Sequence, residues 1–128
     1  MQLTKNFKLS EFASKDGAET PKELIPNLQE LANNLQALRD DLGVPIHINS
    51  GYRSPAHNKA VGGAPKSQHK EGKAGDITAK GFTPKQIQAR IEKLIAEGKM
   101  KNGGLGLYNT FVHYDVRNYA ARWDNSNI

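Results

Sequence analysis

Apolar residues recur along this chain with two different periods. Between residues 27 and 42, leucines fall at Leu28, Leu31, Leu35, Leu38 and Leu42, the stripe of a helix with one buried face, and Gly43 supplies a C-terminal stop. A second helix is predicted over 84–97. Thr83, Pro84 and Gln86 make an N-cap, a first-turn proline and a capping-box partner, Ile87, Ile91, Leu94 and Ile95 its buried face, and Gly98 its end. Elsewhere the period is two. Residues 44–49 read as a strand with Ile46 and Ile48 on one side and His47 on the other, and 74–78 as a buried strand. Residues 105–108 and 111–116 read as the arms of a hairpin turning at Asn109-Thr110. Near the start, Ser10 is taken as the N-cap of a short helical turn, with Phe7, Leu9 and Phe12 lying over the core, and Ser54-Pro55 opens a short helix. The pattern predicts an α+β fold, a small antiparallel sheet flanked by helices.

Length and charge narrow the setting. A chain of 128 residues fits one domain over 1–128 and can bury about two thirds of the surface its unfolded form exposes. It contains no cysteine, which excludes disulfides and thiolate metal sites. Residues 1–12 alternate polar and apolar types without the apolar run of a signal peptide, and no stretch approaches the roughly 20 apolar residues of a membrane span. Synthesis in the cytoplasm, no membrane span and a monomer are expected. The net charge of +5 favours an anionic partner, but the lysines are scattered and no basic stripe is interleaved with aromatics, so nucleic acid is not the expected one.

The candidate chemistry begins at Ser67-Gln68-His69-Lys70-Glu71-Gly72-Lys73-Ala74-Gly75-Asp76. One imidazole and one carboxylate stand seven positions apart, with two glycines between them to let the backbone bend. An acid in a buried strand is costly unless paired or metal-bound, so Asp76 reads as a ligand. Zinc needs three or four N, O or S ligands, and without cysteine the rest must be histidine or carboxylate. Of the four histidines, His47 and His57 read as surface or capping residues, while His113 shares a strand face with Asp115. A hairpin strand beside that of Asp76 brings His69, Asp76, His113 and Asp115 to one spot. Three protein ligands with an open position is the catalytic pattern for zinc. Hydrolysis further needs a carboxylate to carry a proton, for which Asp115 is the candidate, and a cation, for which Arg53 is.

Three stretches together resemble peptidase family M15, zinc D,D- or L,D-type peptidases of bacterial peptidoglycan. They are Ser50-Gly51-Tyr52-Arg53-Ser54, Ser67-x-His69-x-x-Gly72-x-Ala74-x-Asp76, and Gly103-Gly104-Leu105-Gly106-Leu107-Tyr108 followed by Phe111-Val112-His113-Tyr114-Asp115-Val116-Arg117. Within the family the chain is similar to small cell-wall carboxypeptidases and phage endolysins. The resemblance implies zinc bound by His69, Asp76 and His113, and a substrate carboxylate or carbonyl held by Arg53, with Ser67 near the substrate or bracing the His69 loop and Tyr52 beside it. Many relatives place the catalytic acid three residues before the last histidine ligand, where this chain has Thr110, so Asp115 is taken as the replacement base. Other relatives have His-x-His at 113–115, which leaves open an exchange in which Asp115 binds the metal and His113 moves the proton. The resemblance implies an α+β peptidase of the D-Ala-D-Ala-peptidase type acting on stem peptides, as a D-Ala carboxypeptidase or an L-Ala-D-Glu endopeptidase. A phage-type lysis enzyme released to the wall by another factor is favoured. The rival reading is a zinc-containing wall-binding domain without catalysis.

Overall fold

A computed structural model describes residues 1–128. The leucine stripe forms α1 (Ile25–Leu42), which starts two residues ahead of the expected boundary. Pro26 is accommodated in the first turn, where its missing N–H has no partner to lose. Gly43, at φ 72°, ends the helix and donates its N–H to the Arg39 carbonyl. Helix α2 (Pro55–Ala60) is capped by Ser54, whose hydroxyl accepts from the His57 N–H, and α3 (Pro84–Ala96) carries the reciprocal capping box of Thr83 and Gln86. At the N-terminus a 3-10 turn, Leu9–Phe12, is capped at Lys8 and so begins two residues earlier than a Ser10 cap would place it, with the Glu11 carboxylate accepting from the Lys8 N–H.

Five strands form one sheet: β1 (Ile46–Ser50), β2 (Ala74–Ala79), β3 (Gly104–Leu107), β4 (Val112–Asp115) and β5 (Ala121–Asp124), in the spatial order β1-β2-β4-β3-β5. All neighbours are antiparallel except β3 and β5, which are parallel. The first strand starts at Ile46 rather than Val44, because Pro45 has no N–H to give the ladder. Strand β5 was not expected, since its alternation is short and Trp123 is its one large apolar residue.

Period-two alternation divides the sheet into two unlike faces. Gly75, Ile77, Leu105, Leu107, Val112 and Tyr114 lie on the side packed by α1 and α3, where the five α1 leucines, Ile87, Ile91 and Leu94 complete the core together with Phe7 and Phe12. The opposite face carries Asp76, His113 and Asp115. Gly104 pairs with Asp115 and Gly106 with His113, so both glycines lie on this second face. A Cβ at Gly104 would fall on the Asp115 carboxylate, and one at Gly106 on the Trp123 indole. These two glycines form the floor on which functional side chains lie.

The loop after the first turn is tied to the site-bearing segment by Asp16. Its Oδ1 accepts from Ser14 Oγ (2.6 Å) and the Ala18 N–H (3.0 Å), and its Oδ2 from Ser54 Oγ (2.6 Å). The Ser14 and Ser54 hydroxyls, followed by the Ala18 N–H, lower its carboxyl to about 2 from an ordinary 3.8. Such a depressed acid stabilises the fold above its unfolded pKa and loses that contribution as pH falls through the folded value. Wild type should therefore melt above Asp16→Asn at neutral pH, with the gap closing between about pH 4 and pH 2, as followed by circular dichroism. In the core, Leu35 is fully buried. Leu35→Ala should cost about 2–5 kcal/mol in urea unfolding, through lost transfer energy and the cavity left behind.

Candidate metal centre

Each functional side chain is positioned by a different element. After the loop at 61–66, Ser67 caps a 3-10 turn, Gln68–Glu71, by accepting from the His69 N–H (3.2 Å), and Gly72 at φ 69° turns the chain out of it into β2. Of the two glycines read as bends, only Gly72 is one; Gly75 is extended within β2 and faces Leu31 and Leu35. His69 is clasped against the segment after β1. Its Nδ1 lies 2.8 Å from the Gly51 carbonyl, and its own carbonyl accepts from the Arg53 N–H (3.0 Å). Asp76 lies on β2 directly across from His113 on β4.

The ligand atoms of His69, Asp76 and His113 lie within 4.8 Å of one another, and all three residues are buried. Asp76 Oδ1 is 3.2 Å from His69 Nε2 and 3.1 Å from His113 Nδ1, and the two rings meet edge to face with centroids 5.1 Å apart. The far nitrogen of each ring has an acceptor: the Gly51 carbonyl for His69, and Asp115 Oδ2, at 2.7 Å, for His113. Both nitrogens of each ring face an acceptor, and the contacts to Gly51 (2.8 Å) and Asp115 (2.7 Å) are shorter than those to Asp76 (3.2 and 3.1 Å), so a neutral ring is best satisfied with its proton on the far nitrogen. His69 Nε2, His113 Nδ1 and Asp76 Oδ1 then converge as three lone pairs. Such a set repels itself unless a cation or a proton sits in its midst, and two imidazole nitrogens with one carboxylate oxygen suit a divalent metal.

Without a metal, electrostatics favour a proton there. Burial pushes the His113 imidazole down, but hydrogen bonds and charge from Asp115 and Asp76 outweigh it and hold the pKa above the ordinary value. Burial would likewise raise Asp76, yet the two histidines hold its carboxyl well below the usual range.

The centre opens into a cleft of about 500 Å³ lined by 16 residues, among them Arg53, Lys66, Ser67, Tyr108, Arg117 and Trp123. Arg53 is fixed at three points: Nε donates to Ser50 Oγ (3.1 Å), Nη1 to Asn58 Oδ1 (3.3 Å) and Nη2 to Asp76 Oδ2 (3.4 Å). Asn58 is itself buried and donates to the Ala64 carbonyl, tying the loop before Ser67 to that guanidinium. On the opposite wall Tyr108 stacks on Phe111, ring centroids 4.5 Å apart, and its hydroxyl accepts from Trp123 Nε1 (2.9 Å).

Two expected placements differ. Tyr52 does not line the cleft; it is 5% exposed and belongs to the hydrophobic core, with its backbone N–H donating to the Phe12 carbonyl. Asp115 does not face the cleft as a base would. It is fully buried behind His113, with Oδ1 accepting from the N–H groups of Gly104 (3.0 Å) and Arg117 (3.1 Å) and from Arg117 Nε (2.8 Å), and Oδ2 from Arg117 Nη2 (2.7 Å) and His113 Nε2. Asp76 is the only acid lining the cleft. Thr110 is exposed in the turn and does not line it, His47 is exposed, and His57 stays in its capping turn. Asn58, Trp123 and the hold of Arg117 on Asp115 were missed in the sequence. The glycines two apart at Gly104 and Gly106, on the face of His113, were the signal that something large lies over that strand.

Residues 3–115 match a family described as Peptidase M15. The chain belongs to the peptidase M15 family. No curated protein matches it. As an M15 peptidase it is a hydrolase of peptide bonds from a metal-dependent family, and the matched residues include Arg53, His69, Asp76 and His113. Arg117 and Trp123 lie beyond the match. No helix is long and apolar enough to cross a membrane. One divalent ion per chain is expected by elemental analysis, and His69→Ala, Asp76→Ala and His113→Ala should each lose it while remaining folded by circular dichroism.

Proposed function

We propose that this M15 peptidase is a zinc enzyme that hydrolyses peptide bonds in bacterial peptidoglycan stem peptides, of the kind found among cell-wall carboxypeptidases and phage endolysins. The observation that carries the reading is the convergence of His69, Asp76 and His113 lone pairs beside the guanidinium of Arg53 in an open cleft. When bound, zinc supplies Lewis-acid polarisation of the scissile carbonyl and makes hydroxide available near neutral pH. His69 and His113 would offer it Nε2 and Nδ1, their other nitrogens being engaged by the Gly51 carbonyl and the Asp115 carboxylate. Asp115 is thereby assigned to orienting His113, in place of the base role expected for it, and the exchange that made Asp115 a ligand is not adopted. Arg53, held in a fork by Ser50 and Asn58, grips a substrate carboxylate or the oxygen on which charge builds. Ser67 braces the turn that carries His69. Arg53 and Lys66 outnumber Asp76, the one acid lining the cleft, while the charge of Arg117 is met by Asp115, so the cleft suits an anionic peptide, and a stem peptide bears free carboxylates.

The lack of a second acid in the cleft favours one competing reading, a metal-containing domain that binds the wall without cutting it. Purified peptidoglycan separates the two. The enzyme should lower its turbidity and release new amines in a chelator-sensitive way, and mass spectrometry of the muropeptides reads off the bond; binding without amine release by folded, zinc-loaded protein would sink the peptidase assignment. Arg53→Ala should lower kcat/KM about 10²–10³-fold, and Arg53→Lys should recover only part of it, since lysine cannot span the same two partners.

A further inference from the structure

We propose that Arg117 is a positioning residue for the metal centre, acting through Asp115 to set the orientation and free nitrogen of His113. This rests on the reading of His113 as a metal ligand. The Asp115 carboxylate has five donors, and three of them come from Arg117: its backbone N–H, Nε and Nη2. The side-chain pair is a fork that grips one oxygen with each nitrogen, at 2.8 and 2.7 Å, and so fixes the plane of the carboxylate as well as its position. The Gly104 N–H adds a fourth donor, and the missing Cβ at Gly104 makes room for the carboxylate to lie flat there.

With four donors placed by the backbone and the fork, the remaining direction at Oδ2 points to His113 Nε2, 2.7 Å away. That contact is shorter than the 3.1 Å from Nδ1 to Asp76, so it favours the proton on Nε2, and it holds the ring with Nδ1 toward Asp76 and His69. Arg117 is in turn clamped from outside. Its guanidinium carbon lies 5.4 Å from the ring centres of both Tyr119 and Trp123, and Trp123 packs against His113 with centroids 5.0 Å apart. The line from Tyr119 through Arg117 and Asp115 to His113 therefore runs from solvent to a ligand nitrogen without a gap. Loss of the fork leaves Asp115 with three donors and a free axis of rotation, and the ring of His113 loses its anchor.

Two measurements test this. In metal-free wild type brought to a pH at which the His113 ring is neutral, long-range nitrogen–proton NMR should find its proton on Nε2 and a slowly exchanging Arg117 Nε–H; a neutral ring protonated only at Nδ1 overturns the proposal. In competition with a chromophoric chelator, Arg117→Gln should bind zinc about 10–100-fold more weakly and redistribute the His113 proton among folded molecules, with Arg117→Lys between it and wild type. Tyr119→Ala, a change at an exposed position, should weaken zinc about two- to fivefold. If Arg117 merely neutralises a buried charge, the variants lose thermal stability but keep wild-type zinc affinity and the His113 proton position, and the proposal fails. His113→Ala with undiminished zinc affinity would instead refute the ligand set itself, which the proton measurement on Arg117→Gln does not depend on.

Discussion

The site depends on the antiparallel register between β2 and β4, which sets Asp76 opposite His113. In a sheet, a slip of one residue carries every side chain to the other face. Here it would move His113 and Asp115 into the apolar layer under α1 and α3 and bring Val112 and Tyr114 to the cleft. Burying two such polar residues without partners costs several kcal/mol each, so the same alternation that builds the core enforces the site. Tyr114 reinforces the register from the core side, where its hydroxyl donates to the Lys101 carbonyl at 2.7 Å.

From this constraint the remaining parts follow in layers. Asp76 and His113 form the centre of the face, His69 is folded over them by a turn that Gly72 closes, and Arg53 reaches in from the end of β1. Two glycines on β3 leave a shallow floor, filled at one position by the Asp115 carboxylate and at the next by the Trp123 indole. Every buried side-chain polar atom in this assembly finds a partner. That completeness matters, because a half-satisfied buried network destabilises more than an apolar replacement would. The charged cluster is tolerated because the helical side of the sheet supplies an uninterrupted apolar layer from Phe7 to Val116.

Much of the site was legible from residue order. His69, Asp76 and His113 stood out because metal ligands need particular atom types and the chain offers few of them. The face shared by His113 and Asp115 followed from strand alternation. Other features were not legible. Tyr52 sits next to Arg53 in sequence, yet consecutive residues in extended chain point to opposite sides, and the core claimed the tyrosine. Asp115 has the right chemistry for a base, but only its distance from Arg117 and Gly104 reveals that its oxygens are already taken. Strand β5 adds to β3 in parallel through a connection whose own sequence carries little apolar signal.

Local rules thus determined the helices, the hairpin, the two faces of the sheet and the set of atoms able to bind a metal, because propensity, capping and alternation act over a few residues. Tertiary structure decided which of those atoms converge, which partner each imidazole nitrogen meets, and that Asp115 lies behind His113 instead of lining the cleft. Those outcomes depend on contacts between residues tens of positions apart, such as His69 with Gly51 and His113 with Asp76. No short window of sequence contains them.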